Sequence, residues 1–173
     1  MLSIKTINPV SIKFEDLVSE YKERLYWHIR RMVISHEDAD DVLQNTFIKV
    51  FKNLNTFNGD SQIYTWLYRI ATNESLTFIK KRQRTTHLSN EDLQDNLIAN
   101  LSSDPYFNGD DAQLKLQEAI NTLPAKQKQV FIMKYYDELQ YNEISEILGT
   151  SEGALKASYH HAVKKITDHV TGN

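Results

Sequence analysis

The chain has 173 residues, no cysteine, five Gly, three Pro and a net charge of −3. This excludes a disulfide framework or thiolate metal site and argues for helices over a turn-rich β fold. The longest apolar run, Val130-Phe-Ile-Met133, is far too short to cross a bilayer, and the first residues lack a signal peptide's apolar stretch. A cytoplasmic, all-α protein without membrane insertion is expected.

The first half predicts three helices. From about Phe14 to Ile34, Phe14, Leu17, Val18, Tyr21, Leu25, His28/Ile29 and Met32 recur at helical spacing. Ser35-His-Glu-Asp38 resembles a capping box and opens a second helix whose expected buried face is Leu43, Phe47, Val50, Phe51 and Leu54. Phe57-Asn-Gly-Asp60 breaks it, and Asp60 or Ser61 can cap a third helix to about Arg82. Its apolar face is Ile63, Leu67, Ile70, Ala71 and Phe78. Residues 85–110 mix turn formers with five acids and no Lys or Arg, the composition of a linker, with a short helical turn near Glu91 to Leu97.

About four helices follow. Leu114, Leu116, Ala119, Ile120 and Leu123 mark the first, and Pro124 starts the next, which buries Val130, Phe131 and Met133. Tyr141, Ile144 and Leu148 share one face of a short helix that Gly149 ends. Ser151 caps a last helix with the apolar stripe Leu155, Tyr159, Ala162 and Ile166. Two helices joined by such a glycine turn make a helix-turn-helix, whose second helix fits the DNA major groove.

Three surfaces carry the functional reading. On the last helix, Gly153, Lys156, Ala157, His160 and Lys164 point outward: small residues permit close approach, and Lys and His reach phosphates or base edges. The third helix has an outward stripe of Gln62, Thr65, Arg69, Asn73 and Lys80 and ends in Lys80-Lys-Arg-Gln-Arg84, near Phe57, Tyr64, Trp66 and Tyr68. Charge interleaved with rings suits unstacked single-stranded DNA. On the second helix, Asp41, Gln44, Asn45 and Ile48 form a polar face with an embedded Ile, compatible with a protein partner. The acids of His36-Glu-Asp-Ala-Asp-Asp41 fan outward and complement the helix dipole, so no metal site is expected there. No phosphate loop, nucleophile elbow or His-Glu-x-x-His occurs, so neither catalysis nor a cofactor is expected.

Charge divides unevenly. Residues 1–84 carry 13 Lys/Arg against 10 Asp/Glu, 85–110 carry none against five, and 111–173 carry seven against eight. A near-neutral total predicts weak non-specific DNA affinity for the free chain.

Together these motifs resemble a bacterial σ factor of the extracytoplasmic-function (ECF) class, over about residues 14–170. Asp38-Ala-Asp-Asp-Val-Leu-Gln-Asn-Thr-Phe-Ile-Lys-Val-Phe51, Phe57-Asn-Gly59 and Thr65-Trp-Leu-Tyr-Arg-Ile-Ala-Thr-Asn73 are similar to σ region 2. Leu123-Pro-Ala-Lys-Gln-Lys-Gln-Val-Phe131 and Tyr141-Asn-Glu-Ile-Ser-Glu-Ile-Leu-Gly149 are similar to region 4. The resemblance implies two small helical domains, region 2-like at 12–84 and region 4-like at 111–171, joined by the acidic linker at 85–110.

It also implies partners: core RNA polymerase, through its β′ coiled coil and β flap, promoter DNA, and an anti-σ protein as a candidate. Asp41, Gln44, Asn45 and Ile48 would meet the β′ coiled coil. Asn58, Gly59, Asp60 and Ser61 would take a flipped base of the −10 element, and Trp66, Arg69, Asn73, Lys80, Lys81 and Arg82 would guide the melted strand. Ser151, Glu152, Gly153, Lys156, Ala157, His160 and Lys164 would read the −35 element. The chain departs from the family at Thr77, where Asp is usual, and at Ser158, His161 and Val163, where Arg is usual, which lowers the expected −35 affinity. Two other readings stay open at this level: a helix-turn-helix regulator that binds duplex DNA without polymerase, and a σ-like protein-interaction module.

Overall fold

A computed structural model describes residues 12–86, 92, 95 and 109–172. The acidic linker, with its expected helical turn, therefore lies outside the described residues apart from its edges and two isolated positions.

The first module is built from α1 (Phe14–Val33), α2 (His36–Asn53) and α3 (Ile63–Thr86), with a 3-10 turn at Leu54–Thr56. Every helix pair in it is in contact, and Leu25, Ile29, Val42, Val50, Leu67 and Ala71 fill the centre. Full burial of such side chains stabilises by about 1.5–3 kcal/mol each for the larger ones. The α1–α2 corner is tight. Ile34 adopts φ 71°, an unusual value for a β-branched residue, and its amide bonds the Arg30 carbonyl at 2.9 Å. Burial of the Ile34 side chain offsets that backbone cost. Ser35 then caps α2, accepting from the Asp38 amide at 3.4 Å. The Asp38 carboxylate does not complete the capping box; it pairs with Arg82.

The second module contains α4 (Asp111–Asn121), α5 (Ala125–Phe131), α6 (Tyr141–Leu148) and α7 (Glu152–Thr171). The expected turn geometry is present: Gly149 ends α6 at φ 62°, and Ser151 caps α7 by accepting from the Ala154 amide. α5 runs into a π-helical turn at Ile132–Tyr136. One core, with Ile120, Phe131, Ala162 and Ile166, lies between α4, α5 and α7. The other runs from Val130, Ile132, Met133, Ile144 and Leu155 without a break into the core of the first module.

Four expectations need correction. Phe51 is 64 % exposed rather than buried, because it lies on the Ile48 side of α2, where its ring meets Phe14 edge-to-face. Thr65 is completely buried rather than outward-facing, since it follows Leu67 and Tyr68 into the core. Neither Asp60 nor Ser61 caps α3, which begins at Ile63 with the Gln62 carbonyl accepting the Trp66 amide. On α6 the deeper partner of Ile144 is Ile147, while Leu148 is half-buried.

Candidate nucleic-acid interface

α2 turns one side to the core and the opposite side outward. Asp41, Gln44, Asn45 and Ile48 are all exposed, Ile48 by 50 %. Phe51, three residues beyond Ile48, extends the same stripe, which sequence reasoning missed by assigning it to the core. Its position at i+3 from Ile48 was the available signal. An apolar pair bordered by Asp, Gln and Asn is a surface suited to another protein.

Between α2 and α3 the chain makes a compact exposed loop. Gly59 takes φ 80°, which turns the chain there, and Asn58 donates to Asp60 Oδ2 at 2.6 Å. The adjacent Phe57 and Trp66 rings sit 5.2 Å apart, tilted by 44°. A pre-tied polar loop beside two rings can receive an unstacked base. Ser61 borders it, and Asn73, Lys80 and Lys81 are exposed further along α3.

The structure treats other α3 residues differently. Arg82 is paired with Asp38, and Lys49 with Glu74. Arg69 Nη2 donates to the Glu146 carbonyl on α6 at 2.7 Å, and the Tyr64 hydroxyl bonds Glu143. Part of the expected strand-guiding face thus lies against the helix-turn-helix.

On α7, Ser151, Glu152, Gly153, Lys156, Ala157, His160 and Lys164 form one exposed side opposite Leu155, Ala162 and Ile166. A Cβ added at Gly153 would meet no atom within 4 Å, so that end stands open. Lys156 is loosely held, 3.9 Å from Glu152 and 5.5 Å from the centre of the Tyr141 ring. Exposed pairs of this kind contribute little to stability, leaving the ammonium available to a phosphate or base edge. Glu152, at the first turn, complements the helix dipole.

A further constellation escaped sequence reading. His28 in α1 donates from Nδ1 to Asp137 Oδ2 at 2.6 Å, and its Nε2 lies 2.9 Å from Thr72 Oγ1. All three residues are buried. Burial, and secondarily the charge of Asp137, hold the neighbouring Tyr68 phenol above its ordinary pKa. The partners are separated by 109 and 44 residues, so no local pattern signals them. Among the described residues, no three His, Asp or Glu side chains are grouped to hold a metal ion, and no helix is long and apolar enough to cross a membrane.

An exposed α2 stripe with two apolar side chains, a tied polar loop beside two rings and a helix-turn-helix occur together on this helical chain. The family model for Sigma-70 region 2 matches residues 17–85, and that for Sigma-70, region 4 matches residues 113–166. The chain is 33 % identical over 156 residues to the ECF RNA polymerase sigma factor SigW of Bacillus subtilis, covering 85 % of this chain and 83 % of that one. It is 27 % identical to the RNA polymerase sigma-H factor of Pseudomonas aeruginosa, covering 88 % and 83 %. In fold it is similar to the sigma factor RpoE in complex with the anti-sigma factor NepR from Bartonella quintana, with TM-score 0.72, 19 % identity and coverage of 91 % and 96 %. CnrH, solved with the cytosolic domain of CnrY, gives TM-score 0.68 at 21 % identity, covering 92 % and 88 %. The chain belongs to the σ70 family of RNA polymerase σ factors, in the ECF class. Its function is that of an alternative σ factor.

Proposed function

We propose that this σ factor docks on the β′ coiled coil of core RNA polymerase through Asp41, Gln44, Asn45 and Ile48, with Phe51 extending the contact. The observation that carries this is the outward α2 stripe, whose two apolar side chains stand in water opposite a fully packed core. Asn58 to Ser61, with Trp66, receive a flipped −10 base, and Arg69, Asn73, Lys80, Lys81 and Arg82 follow the non-template strand. The exposed side of α7 reads the −35 element, with the β flap as a second polymerase contact. Residues 12–84 and 111–171 are the working units, and the acidic segment 85–110 joins them. The protein acts in the cytoplasm and catalyses nothing itself, since polymerase supplies the chemistry. An anti-σ protein would act by covering these same surfaces.

The test is co-elution of the purified chain with core polymerase, followed by transcription from its target promoter in vitro. Asp41→Ala/Gln44→Ala should lose co-elution and transcript together. Retained co-elution in the double variant would remove the α2 stripe from the docking surface. Tight, specific duplex binding by the free chain without polymerase would favour an autonomous regulator.

A further inference from the structure

The outward side of α7 carries two groups that no contact in the fold accounts for. His160 and His161 are consecutive and both exposed, with their rings 6.0 Å apart at 64°. Among the described residues, neither imidazole has a hydrogen-bond or ion-pair partner. In the first module, by contrast, His28 is bonded to Asp137 and Thr72, and His36 to Tyr26. His160 stands four residues from both Lys156 and Lys164, and His161 four residues from Lys165. Consecutive residues point about 100° apart around a helix, so the second ring widens the face that the first one occupies.

The charge around the pair has one sign. Within a turn on either side lie only Lys156, Lys164 and Lys165; Glu152 is eight residues before His160 and Asp168 seven after His161. The helices packed against α7 supply no carboxylate either. On α6, Glu143 bonds Tyr64 and the Gln140 amide, and on α5, Lys128 donates to Asn121. Asp111, Lys115 and Glu118 on α4, Lys126 on α5 and Glu146 on α6 form no ion pair with either ring. Tyr159 turns the other way and stacks on Phe131. An imidazolium here has no counter-charge within the protein, and a duplex would supply one.

Histidine changes charge between about pH 5 and 8. Residues 151–165 carry three Lys against one Glu, so protonation of both rings doubles the positive excess from two to four. Affinity for duplex follows the number of phosphates neutralised, so two further cations count heavily on a near-neutral chain. An imidazolium only donates, and the guanine edge presents two acceptors, N7 and O6, in the major groove.

We propose that His160 and His161 meet the −35 duplex as imidazolium groups, so that promoter recognition takes up protons and tightens as pH falls. This rests on the reading of α7 given under the proposed function. Proton binding and DNA binding then reinforce each other, because each favours the state the other requires.

The test uses the holoenzyme, this chain with core polymerase, and a duplex selected at about pH 6 from a pool randomised around −35. Affinity for that duplex is followed from about pH 8 to about pH 6 in three proteins. The unsubstituted holoenzyme should gain at least tenfold more than His160→Gln/His161→Gln, which also reports any effect of pH on polymerase itself. His160→Arg/His161→Arg should bind tightly throughout and follow the flat profile of the Gln pair, since arginine keeps its charge over this range. Binding by the unsubstituted holoenzyme should take up protons, read calorimetrically in two buffers of different ionisation enthalpy. Equal pH responses in the unsubstituted and Gln proteins, with the selected duplex still preferred over one with a scrambled −35 element, overturn the proposal alone. No preference over the scrambled duplex at any pH, even with the Arg pair, overturns the reading of α7 and this proposal with it.

Discussion

Gly149 and Glu138 share a left-handed backbone, at φ 62° and φ 55°, but only one is glycine. A Cβ at Gly149 would meet nothing within 4 Å, so Gly149→Ala should destabilise by about 1–2 kcal/mol through backbone strain alone. Glu138 is exposed in the turn before α6, and Glu138→Gly should stabilise by about 0.5–1 kcal/mol, offset in part by the freer unfolded chain. Urea unfolding of both variants checks the opposite signs. Lys128 offers a pH test at the same scale. Desolvation lowers its pKa to about 8, and Nζ donates to Asn121 Oδ1 at 2.8 Å. Below pH 8 the ammonium is charged in both folded and unfolded chains, and the folded state carries the desolvation penalty. Between pH 8 and about 10.4 the unfolded chain holds more protons, so the penalty fades as pH rises. The unsubstituted protein should therefore gain about 2–3 kcal/mol relative to Lys128→Met across that window. A pH-independent difference between the two chains would disprove the assignment.

At the scale of helices, the sequence was legible wherever one periodic face met one core. The Ser35 and Ser151 caps and the Gly149 terminus follow from local chemistry, and the structure places them as expected. Phe51 and Thr65 were misplaced because amphipathicity cannot tell which flank of a wide stripe a neighbouring helix covers. The surfaces at Asp41–Ile48 and Gly153–Lys164 were legible as exposed stripes. Arg69 and Tyr64 were not legible as partners of α6, since the groups they bond lie 77 and 79 residues away. The α7 stripe carries its own prediction. Lys156 is exposed, 3.9 Å from the exposed Glu152 and 5.5 Å from the centre of the Tyr141 ring, so Lys156→Ala should leave the fold and polymerase co-elution intact. Promoter-directed transcription should fall several-fold, with the salt dependence of promoter binding reduced by about one unit of slope. Equal losses of transcription and polymerase binding would contradict that division.

For the whole molecule, the continuous core matters most. Val130, Ile132, Met133, Ile144 and Leu155 pack into the same cluster as Leu25, Val42 and Leu67, so the modules share apolar burial as well as the buried His28–Asp137 pair. Calorimetry of the free protein should show one cooperative transition, and Asp137→Ala should separate it into two. Two transitions in the unsubstituted chain would mean that the shared core adds little to either module.

The π-helical turn at Ile132–Tyr136 explains how one helix serves two cores. Its wide turn is closed by the Asp137 amide on the Ile132 carbonyl at 3.1 Å, five residues back. The surplus residue leaves Phe131 stacked on Tyr159 in one core while Ile132 and Met133 enter the other. Each residue of a helix advances about 100° around the axis. Spacing here is therefore as constrained as side-chain chemistry. Conservative exchanges among aliphatic residues at 130–133 should be tolerated. Loss of a single codon in 132–136 would swing Asp137 about a quarter-turn from His28, uncoupling the modules even with each key side chain retained.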